Sequence, residues 1–219
     1  MGEGQRYMTS LIGVKELSKL FEGKKPQIIV VEGPQGAGKT TITNLIREQL
    51  AHTNMLRLTG GKSDSLEMIK ANYGAIQDML DTLAMNSVDI NYVFDRTFTT
   101  EWCYRRLGYK GDDVNSFDGI GRELINRLVN LHTKYNITFV VLTATEEEMA
   151  ERLLRDKPQY NNVKFCVENS KKQEEMFIEI LDKEVDKSKA NIIIYNNSRQ
   201  KSTEENTNEL LNKIYAMNK

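Results

Sequence analysis

Residues 27–41, QIIVVEGPQGAGKTT, constrain the backbone more than any other stretch of the chain. The run QIIVV is continuously apolar and β-branched, the pattern of a strand buried on both faces of a parallel sheet. Gly33, Gly36 and Gly38 follow within a few positions. From Thr40 onward Ile42, Leu45, Ile46 and Leu50 recur at helical spacing. A buried strand that passes through a glycine turn straight into an amphipathic helix opens a βαβ unit and commits the chain to a parallel sheet.

The rest of the chain repeats that alternation. Residues 54–58, NMLRL, read as a second strand and GGKSD as a loop, with Asp64 or Ser65 as the cap of a helix running to about Met85. Residues 89–95, DINYVFD, read as the third strand. A polar loop, GYKGDDVNS, separates the segment after it from a helix at about residues 117–135. Residues 137–144, ITFVVLTA, are the cleanest strand. Thr145 with Glu148 three positions later makes a capping box and starts a helix. Residues 167–187 form a charged amphipathic helix, ANIIIYNN the fifth strand, and Thr203 opens the last helix. Ahead of all this, residues 8–21 place Leu11, Ile12, Lys15, Leu17, Leu20 and Phe21 roughly at helical spacing, with Gly23 as a stop and Pro26 as a breaker. There is no internal repeat and no low-complexity segment. The chain of 219 residues, 39% of them apolar, suits one α/β domain with a real core.

The glycine turn matches G-x-x-x-x-G-K-[ST] at Gly33, Gly38, Lys39 and Thr40. A loop that wraps phosphates with its N–H groups needs glycine dihedrals and no obstructing Cβ. The helix after it aims its positive end at the same phosphates. Lys39 neutralises charge on the β- and γ-phosphates, and the Thr40 hydroxyl is an oxygen ligand suited to Mg²⁺. A second constellation lies in residues 92–106, YVFDRTFTTEWCYRR. In open α/β sheets ligands gather at the carboxyl ends of strands, so Asp95 and Arg96 would face the crevice of the phosphate loop. A carboxylate there orients Mg²⁺ through water or accepts a proton from the attacking oxygen. An arginine there grips a phosphate bidentately.

With these motifs in place, the chain resembles thymidylate kinase and its nucleoside monophosphate kinase relatives. EGPQGAGKT echoes the family's EG-x-D-GAGK-[ST], and RLTGGK at residues 57–62 echoes its REPGGT loop. DRTFTTEWCYR echoes its D-R-Y-x-x-S-x-x-A-Y-Q, with Asp95, Arg96, Thr100 and Tyr104 at the matching places. VVLTATEEEMAERLLRDK resembles the fourth strand and the helix leading into the family's mobile lid. The likeness spans residues 27–157, and more loosely IIIYNNSRQKSTEE.

The resemblance implies a three-layer P-loop kinase fold. Its five-stranded parallel sheet has the order 2-3-1-4-5, flanked by helices and a small lid at residues 152–166, with residues 1–25 a helical extension of a single domain. It implies ATP-dependent phosphoryl transfer to a deoxynucleoside monophosphate, a pyrimidine such as dTMP, with Mg²⁺, in deoxynucleotide biosynthesis, and a homodimer. Gly33, Gln35, Gly36, Ala37, Gly38, Lys39, Thr40 and Thr41 would hold ATP, with Asn196 and Asn197 near adenine. Thr40 and Asp95 would hold the metal. Arg57 and Arg96 would hold the acceptor phosphate. Glu32, Gln35, Phe98, Thr100, Tyr104 and Arg105 would line the acceptor side, with Trp102 as a further wall. Lys39, Asp95, Arg96, Arg152 and Arg155 would carry the catalysis.

The lid also has an argument of its own. Phosphoryl transfer spreads charge over the γ-phosphate oxygens, and the loop PQGAG has no arginine to meet it. Arg152, Arg155 and Lys157, before Pro158 and QYNN, are the nearest supply; the other reading of these cations is a helix C-terminus favoured by its dipole. Three positions depart from the family. Gln35 stands where it has an aspartate that reads the sugar 3′ hydroxyl, Arg105 where it has a glutamine near the base, and Thr97 where it has an aromatic. The base and sugar of the acceptor therefore stay open beyond thymidylate. The cations of YRRLGYKGDD either clamp phosphate or are solvated loop charges.

Charge and composition exclude other classes. A formal net charge of −1 carries no basic excess for polymeric nucleic acid or a membrane surface. The two cysteines, Cys103 and Cys166, make neither a disulfide framework nor a zinc spacing. His52 and His132 have no ligating neighbour, and the acidic run at 146–148 suits a helix N-terminus. The first residues lack a signal pattern and no run is long enough to span a membrane, so the expected setting is cytoplasmic. Two other functions stay in play: a deoxynucleoside kinase, for which Glu32 would supply the carboxylate that takes the hydroxyl proton, and a nucleotide-binding regulatory module without transfer activity.

Overall fold

The computed structural model describes residues 19–58, 65–86, 88–110, 113–156 and 167–218. Five strands are present among them: β1 Gln27–Glu32, β2 Thr53–Arg57, β3 Asn91–Asp95, β4 Asn136–Thr143 and β5 Asn191–Asn196. They form one parallel sheet in the order β2-β3-β1-β4-β5. Seven helices of more than one turn accompany them: α1 Lys39–Gln49, α2 Leu66–Met85, α3 Phe98–Arg106, α4 Asp118–Asn130, α5 Glu146–Asp156, α6 Ser170–Glu184 and α7 Thr203–Met217. The strand order is the one the motifs implied.

β1 is central and buried at every position, because both faces are covered. Successive side chains of a strand point to opposite faces, so Ile28 and Val30 join one core and Ile29 and Val31 the other. The first core packs against α2, α3, α4 and α6 through Ile69, Leu80, Trp102, Leu124 and Phe177. The second packs against α1 and α7 through Ile42, Ile46, Leu210 and Ile214. Leu20 and Phe21 add to this second face, and the Phe21 ring meets Tyr215 edge-on at 5.7 Å. β5 is an edge strand, and Ile194 stands 54% exposed there.

Local signals set most helix starts. Ser65 caps α2, its hydroxyl accepting from the Met68 N–H at 3.2 Å. Thr145 and Glu148 make the expected reciprocal cap of α5, at 3.2 and 3.1 Å. α7 has a full capping box from Ser202 and Glu205. Two stretches differ from expectation. The segment after β3, left unassigned by periodicity, is α3, capped by Thr97. Its apolar residues do not repeat at helical intervals, because Thr99, Thr100, Glu101 and Arg105 are buried alongside them. The helix expected over residues 117–135 ends at Asn130 and tightens into a 3₁₀ turn, Leu131–Thr133, where the N–H groups of Lys134 and Tyr135 both bond the Leu131 carbonyl. Most of the lead-in helix (residues 1–18), the loop at 59–64 and residues 157–166, with Lys157, Pro158 and Cys166, lie outside the described residues.

Candidate phosphate-binding crevice

β1, β2 and β3 end in register: Val31 pairs with Asp95, and Asp95 with Arg57. The glycine turn between β1 and α1 closes over these ends. Gly33 has φ 134°, and a Cβ there would fall 2.2 Å from the Leu142 carbonyl oxygen of β4. Gly38, the N-cap of α1, has φ 88°, and its Cβ would fall 2.4 Å from Asn197 Nδ2. α1 receives no side-chain cap and no acidic residue in its first turn, so its N–H groups and positive end remain available to an anion.

Lys39 is 4% exposed, and its ammonium donates to the carbonyls of Gly33 at 2.8 Å and Pro34 at 2.6 Å. Burial, and then the neighbouring Arg96, hold it well below the usual lysine range, against the opposing pull of Asp95 and Glu32. A phosphate in the loop would supply further countercharge to this buried ammonium.

Thr40 Oγ1 donates to Asp95 Oδ2 at 2.6 Å. Arg57 Nε lies 3.5 Å from the same oxygen, while the buried Oδ1 has no hydrogen-bond partner. This donor set fits Mg²⁺. It offers hard oxygens from one hydroxyl and one carboxylate, and a cation that keeps waters and phosphate oxygens needs no more from protein.

Arg96 has a left-handed backbone, φ 74°, uncommon for a residue with a side chain. Its N–H donates to the Val31 carbonyl at 3.1 Å and its Nη1 to the Tyr104 hydroxyl at 3.4 Å. Gln35 Nε2 donates to the same hydroxyl, also at 3.4 Å. Burial would lower the guanidinium, but Tyr104, Glu32 and Asp95 together raise it, so it stays cationic.

The crevice has a volume of about 500 Å³. Its described lining carries Lys39, Arg57, Arg96, Arg152, Arg155, Arg199 and Lys201 and no acidic side chain. Of the other residues that the sequence singled out, Gln35, Gly36, Gly38, Thr40, Thr41 and Asn197 line it as well. Arg152 is engaged there: Nη2 donates to the Asn197 carbonyl at 2.8 Å and Nη1 to the Gly36 carbonyl at 3.4 Å. Asn197 in turn donates to the Ala37 carbonyl at 2.8 Å, so α5 and the end of β5 clamp the phosphate loop from outside.

Other candidates stand elsewhere. Glu32 is fully buried behind the crevice wall. Phe98 is in the core, edge-on to Tyr73 at 5.8 Å. Thr100 is buried and donates to Glu32 at 2.5 Å. Arg105 is 3% exposed and pairs with Glu101 at 2.8 Å. Trp102 is enclosed, and Asn196 is exposed outside the lining. Motif reading missed the turn after β5: Ser198, Arg199, Lys201, Ser202, Thr203 and Asn206 all line the crevice. Asn206 pins that turn by donating to the carbonyls of Ser198 at 2.8 Å and Ser202 at 3.1 Å. The available signal was a cap pair, Ser202 and Glu205, placed directly after a strand end.

Residues 14–89, less than half of the chain, match the Zeta toxin family model. Among curated proteins no sequence matches. Solved structures are similar at low identity. Polyphosphate kinase 2 from Arthrobacter aurescens TC1 matches with TM-score 0.59 and 14% identity over 94% of this chain and 75% of that one. Thymidylate kinase from Candida albicans matches with TM-score 0.58 and 17% identity over 89% and 92%. A deoxyadenosine kinase from M. mycoides, with products dCMP and dCDP bound, matches with TM-score 0.51 and 14% identity over 87% and 100%. At such identities the likeness is one of fold, a P-loop kinase architecture.

Proposed function

We propose that this chain transfers the γ-phosphoryl group of ATP to a (deoxy)nucleoside monophosphate, a pyrimidine such as dTMP, giving ADP and the diphosphate. The observation that carries the reading is the meeting of three strand ends. Thr40 and Asp95 form an oxygen pair at the phosphate loop, and Arg57 and Arg96 stand beside it in the same crevice. Two phosphate-gripping arginines suit an acceptor that is itself an anion. The fold shared with nucleotide kinases supports phosphoryl transfer as the reaction class.

Each group has a task. The loop N–H groups and Lys39 hold the donor phosphates and meet the charge that develops during transfer. Arg57 and Arg96 align the acceptor phosphate for in-line attack. Arg155, exposed at the end of α5, is the cation for the γ-phosphate. Arg152, already bonded to the loop, shapes the donor side. Thr40 and Asp95 would hold Mg²⁺, which would supply charge neutralisation at the phosphates. A cytoplasmic setting and a homodimer belong to the same proposal; no described helix is long and apolar enough to cross a membrane.

A hydroxyl acceptor is less well served. It needs a carboxylate base in the crevice, and Glu32 is enclosed with both oxygens already accepting hydrogen bonds. The deciding experiment follows ADP release from Mg-ATP with a panel of nucleosides and nucleoside monophosphates. Turnover with monophosphates alone is expected. Turnover with nucleosides selects the hydroxyl reading, and ATP binding without acceptor-dependent ADP overturns both in favour of a regulatory module.

A further inference from the structure

Glu32 ends β1 as a fully buried carboxylate and is not among the residues that line the crevice. Its Oε1 accepts from the Thr97 N–H at 2.7 Å, the Thr97 hydroxyl at 2.7 Å and the Thr99 hydroxyl, and its Oε2 accepts from the Thr100 hydroxyl at 2.5 Å. Burying a carboxylate is costly, and four donors on one group exceed what closing a core requires. Thr99 and Thr100 are also weak helix formers for the first turn of α3. The arrangement calls for an explanation beyond packing.

That explanation lies in what stands between the bonded groups. Arg96 is flanked on both sides by contacts to the end of β1. Its own N–H bonds the Val31 carbonyl at 3.1 Å, and the next residue, Thr97, is held by Glu32 through both N–H and hydroxyl. Between these anchors Arg96 adopts φ 74°. Such a conformation in a residue with a Cβ is strained and persists only where its surroundings over-determine it. The strained turn sends the guanidinium into the crevice, where it is a lining group, instead of along the sheet.

Resting on the phosphotransfer reading above, we propose that Glu32 is a positioning residue: with Thr97, Thr99 and Thr100 it locks the left-handed turn that aims Arg96 at the acceptor's phosphate. The carboxylate touches neither substrate. Its effect belongs to the acceptor, while the donor is bound on the other side by the loop, Arg152 and Asn197.

Charge alone predicts the opposite sign, which makes the inference testable. Glu32 is one of the negative neighbours that face Arg96, together with Asp95. Removing a carboxylate beside a cationic site strengthens anion binding electrostatically. Removing a positioning group weakens it, by about 10- to 100-fold for a misplacement on the order of 1 Å. The experiment compares wild type, Glu32→Ala, the milder Thr97→Val/Thr100→Val pair, Arg96→Ala and Glu32→Ala/Arg96→Ala. Steady-state kinetics use Mg-ATP and the monophosphate that wild type turns over fastest, and a crystal structure of the threonine pair reports the Arg96 backbone. The expected result has four parts. The acceptor KM rises about 10-fold or more in Glu32→Ala and less in the threonine pair. The ATP KM stays within about twofold. The Glu32 effect vanishes in the Arg96→Ala background, as coupled residues require. Arg96 also leaves the left-handed region in the crystal. An acceptor KM that falls, a rise shared equally by ATP, an undiminished effect without Arg96, or an unchanged Arg96 turn each overturns the proposal. If wild type turns over no acceptor, the functional reading fails, and the crystallographic comparison still decides whether the carboxylate cage sets the Arg96 turn.

Discussion

Lys39 shows how one residue can be costly alone and useful with a ligand. Its ammonium is buried, satisfied only by the carbonyls of Gly33 and Pro34, and depressed well below the usual lysine range by burial. Replacing it with alanine relieves that cost, so Lys39→Ala is expected to leave thermal stability unchanged or higher. It should nevertheless lower kcat by about 100-fold or more through lost charge stabilisation. A thermal melt alongside an ADP assay checks both halves. The two arginines of α5 should separate in the same assay. Arg155→Ala is expected to lower kcat by about 100-fold, with little change in ATP affinity, as for a group used in the transition state. Arg152 holds the Gly36 and Asn197 carbonyls, so Arg152→Ala should chiefly raise the KM for ATP. Equal effects of the two substitutions on kcat and KM would erase the distinction. The sequence placed both arginines near the donor, because their spacing before Pro158 was visible. The bond that ties Arg152 to the end of β5 depends on Asn197, 45 positions away.

At the scale of elements, α3 and α4 are joined by one carboxylate. Asp118 accepts from Trp102 Nε1 at 2.8 Å and from Arg106 at 2.8 and 2.7 Å. Burial pushes this carboxyl up, but the bonds from Arg106 and Trp102, with the charges of Arg106 and Arg122, outweigh it and hold the group below its ordinary value of 3.8. A depressed carboxyl binds protons less well in the folded chain than in the unfolded one. Its contribution is therefore complete above the ordinary aspartate value and is lost as pH falls from there through the depressed value. Asp118→Asn is expected to destabilise by about 1–3 kcal/mol at neutral pH and to flatten the acid limb of stability, measured by urea unfolding between about pH 5 and 2. The same interface depends on a glycine. A Cβ on Gly121 would lie 2.3 Å from Trp102 Cε3, so Gly121→Ala should cost about 1–3 kcal/mol by overpacking, although alanine is the better helix former. A variant as stable as wild type would mean that the indole can move aside. Nothing in local periodicity announced this joint, since α3 mixes buried threonines and charges with its apolar residues.

Across the whole molecule, β1 would link the donor and acceptor sides of the proposed transfer. Its end carries the phosphate loop, receives the N–H of Arg96 and, through Glu32, holds the start of α3. ATP binding to such a crevice stabilises the folded chain by mass action, about 2.7 kcal/mol at a hundredfold excess over Kd. For a chain of this size that raises Tm by about 5–10 °C, a shift readable by calorimetry with Mg-ATP and expected to shrink in Lys39→Ala. The sequence by itself determined the sheet and the donor motif. Apolar β-branched runs, glycine turns and caps act over a few residues, and their spacing is printed in the chain. It also gave the residue pair Asp95–Arg96 at a strand end. Only the tertiary structure decided which side chains face the crevice. Phe98, Thr100 and Arg105 carry the right letters, but α3 is buried on nearly every side and encloses them. The turn after β5 carries no motif, yet parallel pairing of β5 with β4 brings it against the phosphate loop. Glu32 reads as a base by position and is a brace by contact, because its partners lie 65–68 residues further along and meet it only when β3 lies down beside β1.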